Sequence, residues 1–274
     1  MKNLWNKLPA WLKALILNVI LLVPPIAVIQ NTAVANLTYQ NEWGWSLLVT
    51  LFVLIIYWQL VKKFTNFQQP DDIKLSLKFK VDSLNTWTMI LGIMFVTAAT
   101  IQLSSFLTDT QAEKQVSFFQ QFMVMGPFMA IPVLFGTSLT AGVVEEVTYR
   151  FVMQNILTRA YSKWIGIIVI AALFAVTHFL PWQLIIPYMV VSILISLVAE
   201  KEKSIGLVIF AHFAVDFAFS MLGYFLPEAP FDNSLTMNLV WLSLLVAGLS
   251  MLLFCLNPSI KKQNSASFAQ HLRS

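Results

Sequence analysis

The sequence predicts an all-α, polytopic transmembrane bundle of about eight spans with both termini cytoplasmic. Three observations predict it. The 274 residues are 58% hydrophobic and only 11% charged, against about a quarter charged in a soluble domain. Mean hydropathy is +0.74, and several uncharged runs exceed the ~20 residues that a hydrocarbon core demands of a helix. Lys and Arg fall in every second connection, which is the positive-inside pattern.

Hydropathy and helix breakers place the spans at about 11–30, 43–61, 84–107, 120–158, 163–181, 184–200, 204–226 and 235–257. The first has Lys2 and Lys7 before it and Lys13 at its start, and ends before Ala33-Val34-Ala35, a pattern shared with signal peptides. A retained span is the expectation, because the short loop after it leads straight into another span. The second is closed by Lys62 and Lys63, and the third ends in the polar "TDTQAEKQ". The fourth is too long for a simple span. Gly126-Pro127 and Gly136 are its expected break or kink points, and its C-terminal end is expected to project into the cytosol. Arg159 and Lys163 flank the turn to the fifth, Lys201 and Lys203 the turn to the seventh, and Lys261, Lys262 and Arg273 follow the eighth. Most Trp residues, among them Trp11, Trp43, Trp58, Trp87, Trp164 and Trp182, fall near span ends, where amphipathic rings belong.

The whole chain, 1–274, reads as one integral membrane domain. Residues 62–83 form a cytoplasmic basic loop containing "DDIKLSLKFK", whose alternation suits a strand-like or interfacial stretch or a basic loop against anionic lipid. The net charge of +4 reports orientation rather than nucleic-acid binding, so no nucleic-acid partner is expected. The single cysteine, Cys255, allows no intrachain disulfide. There is no Gly-rich phosphate loop and no CxxC.

Against this apolar background, the ionisable residues away from loops and span ends are Glu145, Glu146, Arg150, His178, His212 and Asp216. Each costs at least ~2.5 kcal/mol at the bilayer centre, so such groups face the bundle interior and mark function. Glu145 precedes the Tyr161-Ser162 turn by about as many residues as His178 follows it, so an antiparallel hairpin sets both at one depth. His212 and Asp216, spaced i,i+4, share one face of the seventh span. Glu146 and Arg150 are likewise spaced i,i+4, with Glu N-terminal, which favours an ion pair and leaves Glu145 as the odd carboxylate.

In order, Glu145-Glu146-x-x-x-Arg150, Phe174-x-x-x-His178 and His212-x-x-x-Asp216 resemble the three motifs of the CPBP intramembrane proteases. That family includes the type II CAAX prenyl endopeptidases and the bacterial Abi and bacteriocin-processing or immunity proteins. The motif-bearing core is about 120–220. The resemblance implies a membrane peptidase acting on a membrane-associated peptide or protein, with its site open toward the cytoplasm of a bacterial plasma membrane. It implies that Glu145 and His178 hold and deprotonate a water, that His212 and Asp216 serve the oxyanion, and that Glu146 and Arg150 support them. Asp216 departs from the Asn frequent in the CAAX-processing branch. An ionised Asp repels an oxyanion, so Asp216 serves either when protonated or by orienting His212.

The residues themselves support the same chemistry, since hydrolysis needs an activated water and oxyanion donors. They leave the cofactor open: none, or a divalent metal such as zinc held by Glu145, His178 and His212 with a free fourth position. Two other functions remain. A non-catalytic immunity or scaffold protein would keep the fold and bind a partner. A proton-coupled transporter would need a polar path to both faces, and no internal repeat of the spans supports it.

Overall fold

In lipid, a backbone satisfies its own N–H and C=O groups by coiling into helices, and the apolar runs of this chain do so. The structure, a computed structural model, describes residues 2–39, 45–65, 84–105, 122, 125–178, 181–226 and 234–257. The basic segment 66–83, with its alternating stretch, lies outside the described residues.

In chain order the helices are α1 (Lys2–Lys7), α2 (Ala10–Leu17), α3 (Val23–Tyr39), α4 (Trp45–Thr65), α5 (Leu84–Ser105), α6 (Pro127–Glu146), α7 (Asn155–Ala160), α8 (Lys163–Thr177), α9 (Trp182–Glu202), α10 (Gly206–Phe225) and α11 (Leu235–Leu256). Two π-helical segments join neighbours into longer rods: Asn18–Leu22 between α2 and α3, and Val147–Gln154 between α6 and α7. The first directly precedes Pro24 and Pro25, whose rings cannot continue an ordinary i→i−4 ladder. Among the described residues, seven rods are long and apolar enough to cross a bilayer. The protein is an integral membrane protein with an all-α fold.

Three expectations are corrected. The fourth span starts at Pro127, in the first turn where its missing N–H costs nothing, rather than at residue 120. Gly136 does not break it. A Cβ there would stand 2.7 Å from Thr50 Oγ1, so this glycine serves the contact with α4. The fifth helix is not a full span: α8 has 15 residues, about 22 Å of rise, short of the ~30 Å hydrocarbon core.

The main core draws on Ala14 and Leu17 of α2, Ile90 and Ile93 of α5, Ile170 and Phe174 of α8, Val191 and Ile195 of α9, and Leu207 and Val208 of α10. The first rod is therefore built into the same core as the later helices. A second cluster at the other end joins Ala33, Phe122, Val133 and Tyr224, and the Tyr224 hydroxyl donates to the Met125 carbonyl at 2.9 Å. Phe52, Ile55, Ile186 and Leu253 are each at least 60% exposed, as lipid-facing positions should be.

Helix association in lipid rests on close packing and small residues. At the α6–α10 crossing a Cβ on Gly142 would meet the Ile209 carbonyl oxygen and the Phe213 nitrogen, each at 3.0 Å. Both are backbone atoms that cannot swing aside. Gly142→Leu is expected to push α6 from α10 and destabilise the fold by about 1–3 kcal/mol, as overpacking does. Thermal unfolding in mild detergent would show it as a lowered Tm, and an unchanged Tm would refute the close-contact role.

Candidate active site

The site is built where the α6 rod widens. Glu145 and Glu146 end α6, and the next eight residues, Val147–Gln154, are π-helical. Such wide turns recur at functional sites because they displace side chains from the regular ladder. All eight are buried, packed against the Asn18–Leu22 segment, α2 and α8 and met by side chains from α4 and α9. The Tyr57 hydroxyl of α4 braces its start, donating to the Val144 carbonyl at 3.1 Å and lying 2.8 Å from Thr148 Oγ1.

Glu146 is the centre of the polar network. One carboxylate oxygen lies 3.3 Å from Arg150 Nε, and the other is 2.8 Å from His212 Nδ1. Glu146 and Arg150 are both fully buried. Arg150 also donates from Nη2 to Ser192 Oγ of α9 at 2.8 Å, and its guanidinium lies 4.8 Å from the centre of the Phe174 ring. A cation stripped of water gains from both partners.

His212 has both ring nitrogens engaged. Nδ1 faces Glu146, and Nε2 is 3.3 Å from Asp216 Oδ2, one turn further along α10. Two carboxylates on opposite edges hold the ring as a donor from both nitrogens. Arg150 and His212 then balance Glu146 and Asp216, and Glu145 is the carboxylate outside that balance.

His178 is the C-cap residue of α8. Its Nδ1 donates to the Phe174 carbonyl at 2.6 Å. That bond places the proton on Nδ1 and leaves the Nε2 lone pair facing Glu145 Oε2 at 3.8 Å. Thr177 beside it is 2.5 Å from the Tyr149 hydroxyl, tying the end of α8 to the π-helical turn.

All six ionisable residues expected from the sequence therefore meet in one place. Glu145, His178, His212 and Asp216 line a cavity of about 210 Å³ together with Tyr188 and Phe174. A second cavity of about 490 Å³ shares Glu145 and Asp216 with it and continues along α3, α6 and α10. Its walls lead away from the helix ends that carry Lys and Arg. Sequence reasoning missed Ser192, Tyr57, Tyr149, Thr177 and Tyr188. Ser192 and Ser196 carry a weak signal as hydroxyls at i,i+4 in an apolar helix; the tyrosines carry none.

A zinc site on Glu145, His178 and His212 does not fit the donor geometry. No group of three or more His, Cys, Asp or Glu side chains among the described residues is arranged to hold a metal ion. His212 has no free lone pair once both nitrogens face carboxylates, and a zinc ligand must offer one.

Residues 127–218 match the family model described as type II CAAX prenyl endopeptidase Rce1-like. The match runs from the start of α6 into α10 and contains all six residues. No curated protein and no solved structure matches the chain.

Removing one member of a buried ion pair costs about 3–5 kcal/mol, because the partner is left charged and uncompensated. Arg150→Met is expected to cost that much. Ser192→Ala, which takes away one acceptor from a buried guanidinium, should cost about 1–3 kcal/mol. Equilibrium unfolding in mixed detergent would measure both, and equal losses for the two variants would contradict the hierarchy.

Proposed function

We propose that the chain, whose residues 127–218 match the type II CAAX prenyl endopeptidase Rce1-like family model, is an intramembrane endopeptidase of the CPBP type using a water activated by Glu145 and His178. The observation that carries this reading is the Glu145–His178 pair. The two acceptor atoms stand 3.8 Å apart with the His178 proton fixed on the far nitrogen. One water can donate a hydrogen to each, which turns its oxygen lone pair toward a substrate carbonyl.

In the proposed reaction Glu145 takes a proton as the water oxygen attacks the peptide carbon. The oxyanion so formed displaces Asp216 as the acceptor of the His212 Nε2–H, while Glu146 holds Nδ1. Asp216 acts as the acceptor that orients the His212 ring. Its position beside Nε2 supports this role over that of an oxyanion donor. Collapse of the intermediate breaks the C–N bond, and Glu145 returns the proton to the leaving amine. Glu146 and Arg150 are positioning residues, as are Ser192 and Tyr57.

Nothing in this chemistry requires a path to both membrane faces. The fully buried Arg150 and Gln154 close one side, which disfavours a proton-coupled transporter. The substrate is proposed to be a membrane-associated peptide or protein, and the host membrane a bacterial plasma membrane.

Glu145→Gln and His178→Ala are each expected to lower cleavage by about 10²–10⁴-fold, the usual range for a general base. The folding of both variants should be close to wild type, since neither residue is in the Glu146–Arg150 pair. Sequencing the new peptide termini in membranes expressing equal amounts of wild type and variants measures this. Identical termini in all three samples would remove the peptidase reading and leave a non-catalytic immunity or scaffold role.

A further inference from the structure

The 490 Å³ cavity has a direction. Its floor is shared with the smaller cavity at Ile101, Glu145, Val215 and Asp216. From there its walls run to Val34 near the end of α3, back along α6 to Thr137, and up α10 to Ser220. In each rod this is the half farther from the basic ends, which are marked by Lys7 and Lys13, Arg159, and Lys201 and Lys203. On the basic side the space is filled: Arg150, Gln154, Val198, Ala199 and Ile205 are all 0% exposed. The positive-inside rule makes the filled side cytoplasmic and the open side non-cytoplasmic.

The wall chemistry suits a peptide better than a lipid chain. Thr137 and Thr140 donate their hydroxyl hydrogens to α6 carbonyls, which leaves their oxygens able to accept. Ser138 and Ser220 add two more hydroxyls among apolar neighbours. An extended peptide needs such acceptors for its N–H groups below the membrane surface, whereas an acyl chain gains nothing from them.

We propose that the site takes its substrate from the non-cytoplasmic side, as an extended apolar peptide segment lying in the larger cavity with its scissile bond over Glu145. The proposal rests on the peptidase reading for the bond cleaved, but not for the direction of access.

Thiol protection tests it without using activity. In a Cys255→Ser background, Ser220→Cys places a thiol in the cavity wall and Lys203→Cys places one at the basic end. A membrane-impermeant maleimide applied to intact cells is expected to label the first at least tenfold faster than it does in inside-out vesicles, and the second in the reverse order. Labelling of Ser220→Cys only in inside-out vesicles would overturn the direction. A synthetic peptide of six apolar residues between lysines, added outside, should slow labelling of Ser220→Cys at least fivefold, and Ala33→Trp should abolish that protection. Protection by a saturated fatty acid but not by the peptide would overturn the occupant. Protection without cleavage of the same peptide by wild type would leave this inference standing and remove the peptidase reading instead.

Discussion

The site depends on one carboxylate. Glu146 lies at the junction of three helical rods with no exposed surface, and its two oxygens point to different helices. One meets Arg150 within its own rod, and the other meets His212 on α10. A buried anion with one partner would be a large destabilising term. With an ion pair to Arg150 on one side and a hydrogen bond from His212 on the other, it becomes the tie that sets the spacing of α6 and α10. Gly142, one turn earlier, lets the backbones approach closely enough for that tie to close. Arg150 passes the constraint on to α9 through Ser192 and to α8 through the face of Phe174. The three rods that carry the six ionisable residues, and α9 beside them, are thus linked through one charge.

The family match covers residues 127–218, and the fold draws on more of the chain. The linked residues Glu146, Arg150, Phe174, Ser192 and His212 lie inside the matched segment. The N-terminal rods do a less demanding job. Tyr57 braces the start of the π-helical turn, and α2 supplies core side chains such as Leu17. A hydroxyl reaching a carbonyl oxygen can be supplied from many positions on a neighbouring helix. Geometry of that kind constrains sequence far less than a carboxylate that must meet both a guanidinium and an imidazole.

The parts legible in the sequence were those for which lipid raises the cost of error. Charged groups in a span are too expensive to be incidental, so Glu145, Glu146, Arg150, His178, His212 and Asp216 stood out and do converge. The equal offsets of Glu145 and His178 from the Tyr161-Ser162 turn set their common depth, and the two side chains stand 3.8 Å apart. Features that lipid does not penalise stayed hidden. A π-helical turn makes its own backbone bonds and has the same hydropathy as an α-helix, so Val147–Gln154 looked like a continuous span. Ser192 and Tyr149 are ordinary residues of a span until a partner is known. The direction of the cavities depends on how side chains from α3, α6 and α10 fail to fill space, which no single helix encodes.

The shortness of α8 joins these strands of argument. A helix that stops inside a bilayer leaves its last carbonyls without intrahelical donors, and lipid offers none. Pro181 forbids continuation, so the end must be satisfied by side chains. Thr177 donates its hydroxyl to the Phe174 carbonyl at 3.1 Å, and His178 donates Nδ1–H to the same carbonyl at 2.6 Å. The cap therefore decides the tautomer: once Nδ1 is committed to the backbone, Nε2 can only accept, and it faces Glu145. A helix running on to the far surface would have its carbonyls paired within the ladder and would leave the imidazole free to choose either nitrogen. The broken helix and the basic nitrogen beside Glu145 follow from the same requirement, that no carbonyl be left bare in hydrocarbon.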